Sequence, residues 1–206
     1  LDRSSAASDV YKEDFKPFDP KDDFERLDDA LRSARHLGGK KSEALELSGL
    51  RVEPYPYQEE MLEAVRSERE VHDRHKNLLI AATGTGKTVV AALDYRRLCE
   101  EYGRRPRLLF VAHRREILLQ AQRTYREVLQ ASDFGELLVS GDEPRQWDHV
   151  FASVQSLSGK RLNRLAADHF EVVVIDEFHH AEATTYRALL DYLHPRELLG
   201  SVSYTH

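Results

Sequence analysis

The sequence contains very little cysteine and no long hydrophobic run. Cys99 is the single cysteine among 206 residues, so no disulfide can form within the chain, and a reducing compartment such as the cytoplasm is expected. We interpret Cys99 as a buried structural thiol rather than a nucleophile. No apolar run approaches the ~20 residues that span a bilayer, so we expect no transmembrane helix and no membrane partner.

Methionine is equally scarce. The only one is Met61, and the sequence begins at Leu1. We therefore interpret the sequence as a fragment of a longer protein, in which a targeting signal would not be visible.

The composition, with 41% hydrophobic and 32% charged residues, is typical of a globular protein with one domain and an appendage. The net charge of −6 is unevenly distributed, because residues 96–126 contain nine arginines and only three glutamates. An anionic partner would meet this middle segment. The alternative is a set of solvated helix faces.

The chain divides into two parts near residue 50. Residues 1–20 are polar and contain two prolines, which predicts an extended leader, and residues 22–36 carry one apolar stripe at helical spacing before Gly38 and Gly39. We predict that residues 1–50 form a leader and a small helical appendage, and that residues 51–206 form the main domain.

Strands and helices alternate from residue 77 onward. Strands are predicted at 77–82, 107–112, 136–140, 149–153, 171–175 and 198–203, and helices at 58–71, 87–102, 114–131, 155–167 and 183–193. Strands as apolar as 172–175 are buried on both faces. The pattern therefore predicts an α/β fold with a mainly parallel sheet between two helical layers.

A glycine-rich loop joins the first predicted strand to the next helix. Residues 81–88 read AATGTGKT. Glycines allow backbone N–H groups to face phosphate oxygens, and the following helix adds the positive end of its dipole. Lys87 would reach the β- and γ-phosphates, and the Thr88 hydroxyl would bind Mg²⁺. Ala81 stands where the strict phosphate-loop pattern has its first glycine.

Two carboxylates follow a buried strand further along the chain. Asp176 and Glu177 come directly after residues 172–175, where ligands bind in open α/β sheets. Asp176 could hold Mg²⁺, directly or through water, and Glu177 could polarise a water aimed at the γ-phosphate. Adjacent His179 and His180 point apart, so a polar relay or a helix cap is expected there rather than a metal site.

ATGTGKT followed by DEFHHA resembles motifs I and II of superfamily 2 helicases and translocases, the DEAD/DEAH-box group, in which alanine is normal at the position of Ala81. Other segments resemble the family in the same order. PYPYQ at 54–58 is similar to the region where a glutamine, here Gln58, reads the adenine edge with its donor and acceptor. FVAHRREIL at 110–118 resembles motif Ia, and FASVQSL at 151–157 resembles a segment of DNA-directed members.

This resemblance implies a RecA-like P-loop NTPase lobe that uses ATP and Mg²⁺. It assigns nucleotide binding to Gln58, Thr83, Gly84, Thr85, Gly86, Lys87 and Thr88. Metal binding is assigned to Thr88 and Asp176, and catalysis to Lys87, Asp176 and Glu177. Nucleic-acid contacts, with DNA preferred to RNA, are assigned to His113, Arg114, Ser153 and Gln155. Such motors hold ATP between two lobes, so a second lobe is an expected partner and this chain alone should hydrolyse ATP slowly.

DEFHHA, with Phe18-Asp19-Pro20 upstream, also resembles bacterial members that carry a phospholipase-D-type nuclease domain, although no H-x-K-x₄-D pattern is present in this sequence. Residues 201–206 depart from the family, because SVSYTH stands where the L-T-A-T-P motif III is usual. Two alternatives to a helicase remain open: the motor part of an ATP-dependent nuclease or restriction-type enzyme, and a nucleotide-gated binding module.

Two further side chains had alternative interpretations. Arg115 could contact nucleic acid or form a salt bridge with Glu116 or Asp176. Trp147, the single tryptophan, could stack on a base, but packing against the sheet edge is favoured.

Overall fold

The computed structural model describes residues 51–157, 159–177 and 184–204, where strands and helices alternate as predicted. The α-helices are α1 (Pro56–Glu70), α2 (Lys87–Tyr102), α3 (Arg115–Leu129) and α4 (Thr184–Tyr192), with a 3₁₀-helix at Gly159–Arg164. The strands are β1 (Lys76–Ala82), β2 (Leu108–Ala112), β3 (Glu136–Leu138), β4 (His149–Ser153), β5 (Val172–Ile175) and β6 (Glu197–Tyr204). The predicted leader and appendage of residues 1–50 lie outside the described residues.

The strands form one sheet in the order β1-β6-β5-β2-β4-β3, and every neighbouring pair is parallel. The β2 strand contacts helices on both faces of the sheet. Its residues Leu108 and Phe110 pack with residues of α1, α2 and α3, whereas Leu109 and Val111 pack with residues of the 3₁₀-helix and α4. This alternation confirms the predicted three-layer α/β sandwich.

One predicted helix is wrong. Residues 154–157 form a turn rather than the start of a helix over 155–167, and the 3₁₀-helix follows. The Ser153 hydroxyl accepts the N–H of Ser156 at 3.2 Å and donates to its hydroxyl at 2.8 Å. Such local bonds offer the backbone an alternative to the helix. The β3 strand is also shorter than predicted, because Val139 instead pairs with Asp142 in an isolated antiparallel bridge.

No helix among the described residues is both long and apolar enough to cross a bilayer.

A buried ion network ties α1, α2 and β6 together at the amino end of the sheet. Arg69 donates to both carboxylate oxygens of Asp94, at 2.6 and 2.8 Å, and its Nε lies 2.7 Å from Oε2 of Glu197. The three side chains are at most 9% exposed. Burial disfavours the charged form of Arg69, but the bonds and charges of Asp94 and Glu197 outweigh it, so the pKa of Arg69 lies above its ordinary value.

His75 makes this region sensitive to pH. Its Nδ1 lies 2.7 Å from Glu197 and its Nε2 lies 3.1 Å from Asp73. Bonds to Glu197 and then to Asp73 raise the pKa of His75 above its ordinary value. A raised folded-state pKa means that the stabilisation is fully present below pH ~6.5 and is lost as the pH rises through the folded-state pKa.

We expect His75→Gln to lower the unfolding temperature more at pH 5.5 than at pH 8.5. The free energy of unfolding lost on substitution at pH 5.5 should exceed that lost at pH 8.5 by at most about 1 kcal/mol, because solvent screens the partly exposed pair of His75 and Glu197. Thermal unfolding of both proteins across this pH range measures it, and a deficit that grows with pH would contradict the assignment.

Candidate nucleotide and nucleic-acid site

The carboxyl ends of the six parallel strands lie side by side at one edge of the sheet. Most of the predicted site residues come at or after these ends: the loop 83–86 after β1, Asp176 and Glu177 after β5, His113 and Arg114 after β2, and Ser153 and Gln155 on and after β4. Two strand spacings, roughly 10 Å, separate β1 from β5. The parallel sheet therefore places the phosphate loop, the carboxylates and the predicted nucleic-acid residues in one row.

The glycine-rich loop has the backbone shape of an anion cradle. Gly84 and Gly86 have φ angles of +84° and +76°, a left-handed region that glycine enters without a steric penalty. The α2 helix then begins at Lys87 with no side chain capping it. Its first N–H groups have no acceptor within the helix, so they and the helix dipole are available to a phosphate.

Lys87 brings a buried positive charge to this loop. The side chain is buried, and its ammonium group donates to the carbonyls of Ala81 at 3.2 Å and Ala82 at 2.9 Å. No carboxylate of the described residues pairs with it. A buried cation held by neutral carbonyls fits an anionic ligand, since the ligand's charge would compensate it.

Gln58 is tied to the same loop. Its Nε2 donates to the carbonyl of Thr85 at 3.1 Å, and its Oε1 accepts the N–H of Tyr55 at 3.0 Å. The side chain is buried, and a Cβ on Gly86 would lie 2.7 Å from Nε2, so a side chain at Gly86 would force the Gln58 amide to move. The predicted contact of Gln58 with an adenine edge stays a prediction.

The three threonines in the loop and at the start of α2 are at least partly exposed to solvent. Thr83 is exposed, and Thr88, the second residue of α2, is half-buried. Thr85 differs from them, because its hydroxyl donates to the carbonyl of Ala82 at 2.8 Å and closes the turn. Thr88 is thus free to turn its hydroxyl toward a ligand at the start of α2.

Asp176 is fixed by its neighbours in the sheet. Its N–H donates to the carbonyl of Val111 at 2.9 Å, and its Oδ1 accepts the N–H of Glu177 at 3.0 Å and the hydroxyl of Ser201. The described residues contain no cluster of three histidine, cysteine or carboxylate side chains that could bind a metal. Mg²⁺ commonly uses one or two carboxylates together with water and phosphate oxygens. The predicted role of Asp176 as a Mg²⁺ ligand stays a prediction.

Glu177 contacts a residue of the neighbouring strand end. Its Oε2 lies 2.7 Å from Nδ1 of His113, and its backbone has a φ of +54°. Left-handed backbone is uncommon for a residue with a Cβ, and Asp73 and Gln130 are the other two such residues among those described. The structure thus brings together a predicted catalytic residue and a predicted nucleic-acid residue.

Ser153 and Gln155, the other two predicted nucleic-acid residues, differ in exposure. Ser153 is buried and its hydroxyl is bonded within the turn to Ser156, whereas Gln155 is exposed. Their contacts with nucleic acid stay predictions.

The arginines of residues 96–126 are largely engaged within the lobe. Arg115 pairs with Asp142 at 2.7 Å, so the predicted alternatives of Glu116 and Asp176 as its salt-bridge partner are wrong. The other ion pairs, cation–π contacts and carbonyl bonds involve Arg96, Arg97, Arg104, Arg105, Arg107 and Arg126.

The remaining predictions concern single side chains. Trp147 packs against the hydrophobic core, which confirms the predicted packing role of this side chain. Cys99 is half-buried against the core, and burial raises the pKa of its thiol to about 11, which leaves little reactive thiolate at neutral pH. His179 and His180 lie outside the described residues.

Sequence reasoning missed three features of the site. It did not find the Ser201 contact with Asp176, the His113 contact with Glu177, or the exposed, parallel rings of Tyr55 and Tyr57, whose centroids are 5.9 Å apart. Ser201 occupies the segment where motif III was missing. The signal available in the sequence was the spacing of Ser201 and Ser203, which places both hydroxyls on the same face of the predicted last strand.

Comparison with known proteins agrees with this geometry. Residues 51–201 match the family described as type III restriction enzyme, res subunit. The chain is 32% identical over 121 residues to the "Putative ATP-dependent helicase IRC3" of Saccharomyces cerevisiae, a match that covers 54% of this chain and 17% of that protein. The chain therefore spans about a sixth of that relative.

Solved structures share the fold. The UvsW helicase of bacteriophage T4 superposes with a TM-score of 0.58 at 14% identity, over 86% of this chain and 69% of that one. A nuclease-deletion mutant of the type ISP restriction-modification enzyme LlaGI, bound to a DNA substrate mimic, gives 0.57 at 15% identity, over 74% and 18% of the two chains. The chain belongs to the type III restriction enzyme res-subunit family, and its fold is the RecA-like lobe of superfamily 2 helicases.

Proposed function

We propose that this chain is the ATP-binding lobe of an ATP-dependent DNA helicase or translocase. The observation that carries the proposal is the buried Lys87 in the glycine loop, with Asp176 and Glu177 two strands away on the same sheet edge. A glycine loop that leads into an uncapped helix start, a buried cation and two adjacent carboxylates are the groups needed to bind and hydrolyse a nucleoside triphosphate.

Each residue has a distinct role in this proposal. Lys87 and the N–H groups at the start of α2 take up phosphate charge, and Gln58 would read the adenine edge. Thr88 and Asp176 would hold Mg²⁺, which neutralises charge on the phosphates when it is bound. Glu177 accepts a proton from water as the water oxygen attacks the γ-phosphorus and ADP leaves.

Nucleic acid would run along the same edge, contacted through its phosphates and sugars by His113, Arg114, Ser153 and Gln155. DNA is favoured over RNA because the LlaGI structure of the same fold is described with a DNA substrate mimic. A second RecA-like lobe would close over the nucleotide. The cytoplasmic location remains a prediction from the cysteine content.

The same geometry serves a second candidate, the motor part of an ATP-dependent nuclease or restriction-type enzyme. The family description and the LlaGI neighbour favour it. In that case translocation by this lobe would serve cleavage by another domain of the longer protein.

Phosphate release measured with and without single- and double-stranded DNA tests the proposal. In the full-length protein we expect DNA to stimulate hydrolysis. The 206-residue chain should hydrolyse ATP slowly and respond little to DNA, because an arginine finger from a second lobe is worth about 10³–10⁵ in turnover in related NTPases.

Two outcomes would contradict parts of this scheme. Strong DNA-stimulated turnover by the 206-residue chain would show that no second lobe is required. A full-length protein that binds ATP but shows neither DNA binding nor DNA-stimulated hydrolysis would instead be a nucleotide-gated binding module. An RNA titration run in parallel tests the preference for DNA.

A further inference from the structure

A cleft of about 500 Å³ lies between the carboxyl ends of α2 and α3. Both helices end here, α2 before Gly103 and α3 before Gln130, and each of these two residues has a left-handed backbone. The volume is within the range of sites that bind small molecules. The charged residues that line the cleft are four arginines and one glutamate, Arg51, Arg96, Arg104, Arg105 and Glu100.

The carboxylates around the cleft are too few to compensate its arginines. Glu171 pairs with both Arg104 and the nearby Arg107. Arg51 pairs with two exposed glutamates, at 3.3 and 3.5 Å. The four arginines of the cleft and Arg107 thus face three glutamates. The carboxyl ends of α2 and α3 add roughly half a negative charge each, which leaves a surplus of about one positive charge.

Arg96 and Arg105 carry this surplus, because neither pairs with a carboxylate of the described residues. Arg96 is half-buried, and its Nη1 donates to the carbonyl of Val52 at 3.0 Å, which uses only part of its donor capacity. Burial, and then the charge of Arg51, lowers the pKa of Arg96 below its ordinary value. Arg105 is exposed, and its guanidinium lies 5.9 Å from the centroid of the Phe134 ring. An anion in the cleft would therefore stabilise both guanidinium groups.

A phosphate group is the anion that fits these side chains. Its oxygens accept charge-assisted hydrogen bonds from guanidinium groups, and such bonds are stronger than those between neutral groups. Val128 and Leu129 also line the cleft, so the organic part of a phosphate ester would meet apolar side chains.

We propose that this cleft is a second anion site, in which Arg96 and Arg105 bind a phosphate group. The site is separate from the glycine loop. Lys87 begins α2, and Cys99, which lines the cleft, lies roughly 18 Å further along the axis of the same helix. The inference goes beyond the proposed function of the lobe and does not depend on it.

Cys99 reports the occupancy of the cleft, because it is the only cysteine of the chain. The test measures its alkylation by iodoacetamide at alkaline pH, where part of a thiol with a pKa of about 11 is ionised. We expect saturating pyrophosphate to slow the reaction about fivefold, since one added negative charge disfavours the thiolate. Short duplex DNA is the second ligand. Protection by DNA alone would assign the phosphate to a nucleic-acid backbone, and protection by pyrophosphate alone would assign it to a small ester.

Arg96→Gln and Arg105→Gln should each raise the pyrophosphate concentration needed for protection about tenfold, because each removes a charge-assisted bond. Arg97→Gln is the matched control. The adjacent Arg97 is paired with Glu59 and Glu63, at 2.7 and 2.8 Å, and does not line the cleft, so protection should be unchanged. Unchanged protection in both cleft variants, or no protection by either ligand, would overturn the site.

Lys87→Ala separates the cleft from the glycine loop. This variant should lose nucleotide binding and keep the protection of Cys99 by pyrophosphate. Protection that is lost in Lys87→Ala but kept in the two cleft variants would place pyrophosphate at the glycine loop and refute the second site. Normal nucleotide binding by Lys87→Ala, with Cys99 still protected, would contradict the proposed function alone. Unfolding temperatures of all four variants identify any loss of fold.

Discussion

Lys87→Ala should lower kcat/KM for ATP by about 10²–10³-fold in the full-length protein, the effect of deleting one positioned donor from a site that stabilises negative charge. The ammonium is buried beneath the glycine loop, where a phosphate would meet little competing water. Alanine removes both the charge and the two bonds to the carbonyls of Ala81 and Ala82.

Lys76→Ala is the matched control for this variant. Lys76 is exposed at the amino end of β1, whereas Lys87 follows its carboxyl end. Fluorescent-nucleotide binding and phosphate release should both be normal in the control and both be lost in Lys87→Ala. If Lys87→Ala bound and hydrolysed ATP with wild-type constants, the loop would not be the nucleotide site.

Arg69→Met should destabilise the lobe by about 3–5 kcal/mol, because it removes the guanidinium that pairs with both Asp94 and Glu197 and leaves Asp94 buried without its partner. Asp94 and Glu197 are 6% and 3% exposed, so water cannot replace the guanidinium. For a domain of this size the loss corresponds to a fall of roughly 10 °C in the unfolding temperature. Urea and thermal unfolding of the chain measure both quantities.

Arg66→Met, on the same helix, is the appropriate control. Arg66 pairs with Glu70 at 2.7 Å, but both side chains are more than half exposed. Its loss should leave the stability almost unchanged, because solvent screens an exposed ion pair. If the two variants lost equal stability, the burial of the Arg69 network would have no energetic significance.

The order of the strands and helices could be predicted because it depends on local patterns. All six strands and four of the five helices of the predicted main domain were placed within two residues of their ends. The early end of β3 and the failure of the predicted 155–167 helix have one reason. In both places local pairing, through Asp142 and through the Ser153 hydroxyl, displaced the pattern that the apolar residues suggested.

The sequence by itself determined the phosphate loop, since the φ angles of Gly84 and Gly86 and the start of α2 at Lys87 are consequences of local residue choice. It also determined that Asp176 follows a buried strand. These features require only residue type and spacing, and both are visible in a linear chain.

Only the tertiary structure decided which residues meet. The order β1-β6-β5-β2-β4-β3 places Ser201 against Asp176 and His113 against Glu177, although 25 and 64 residues separate the members of these pairs. The bonds from Lys87 to the carbonyls of Ala81 and Ala82 are local in the sequence, but the contacts of Glu177 depend on which strands are neighbours. That depends on packing across the whole sheet, which no short segment encodes.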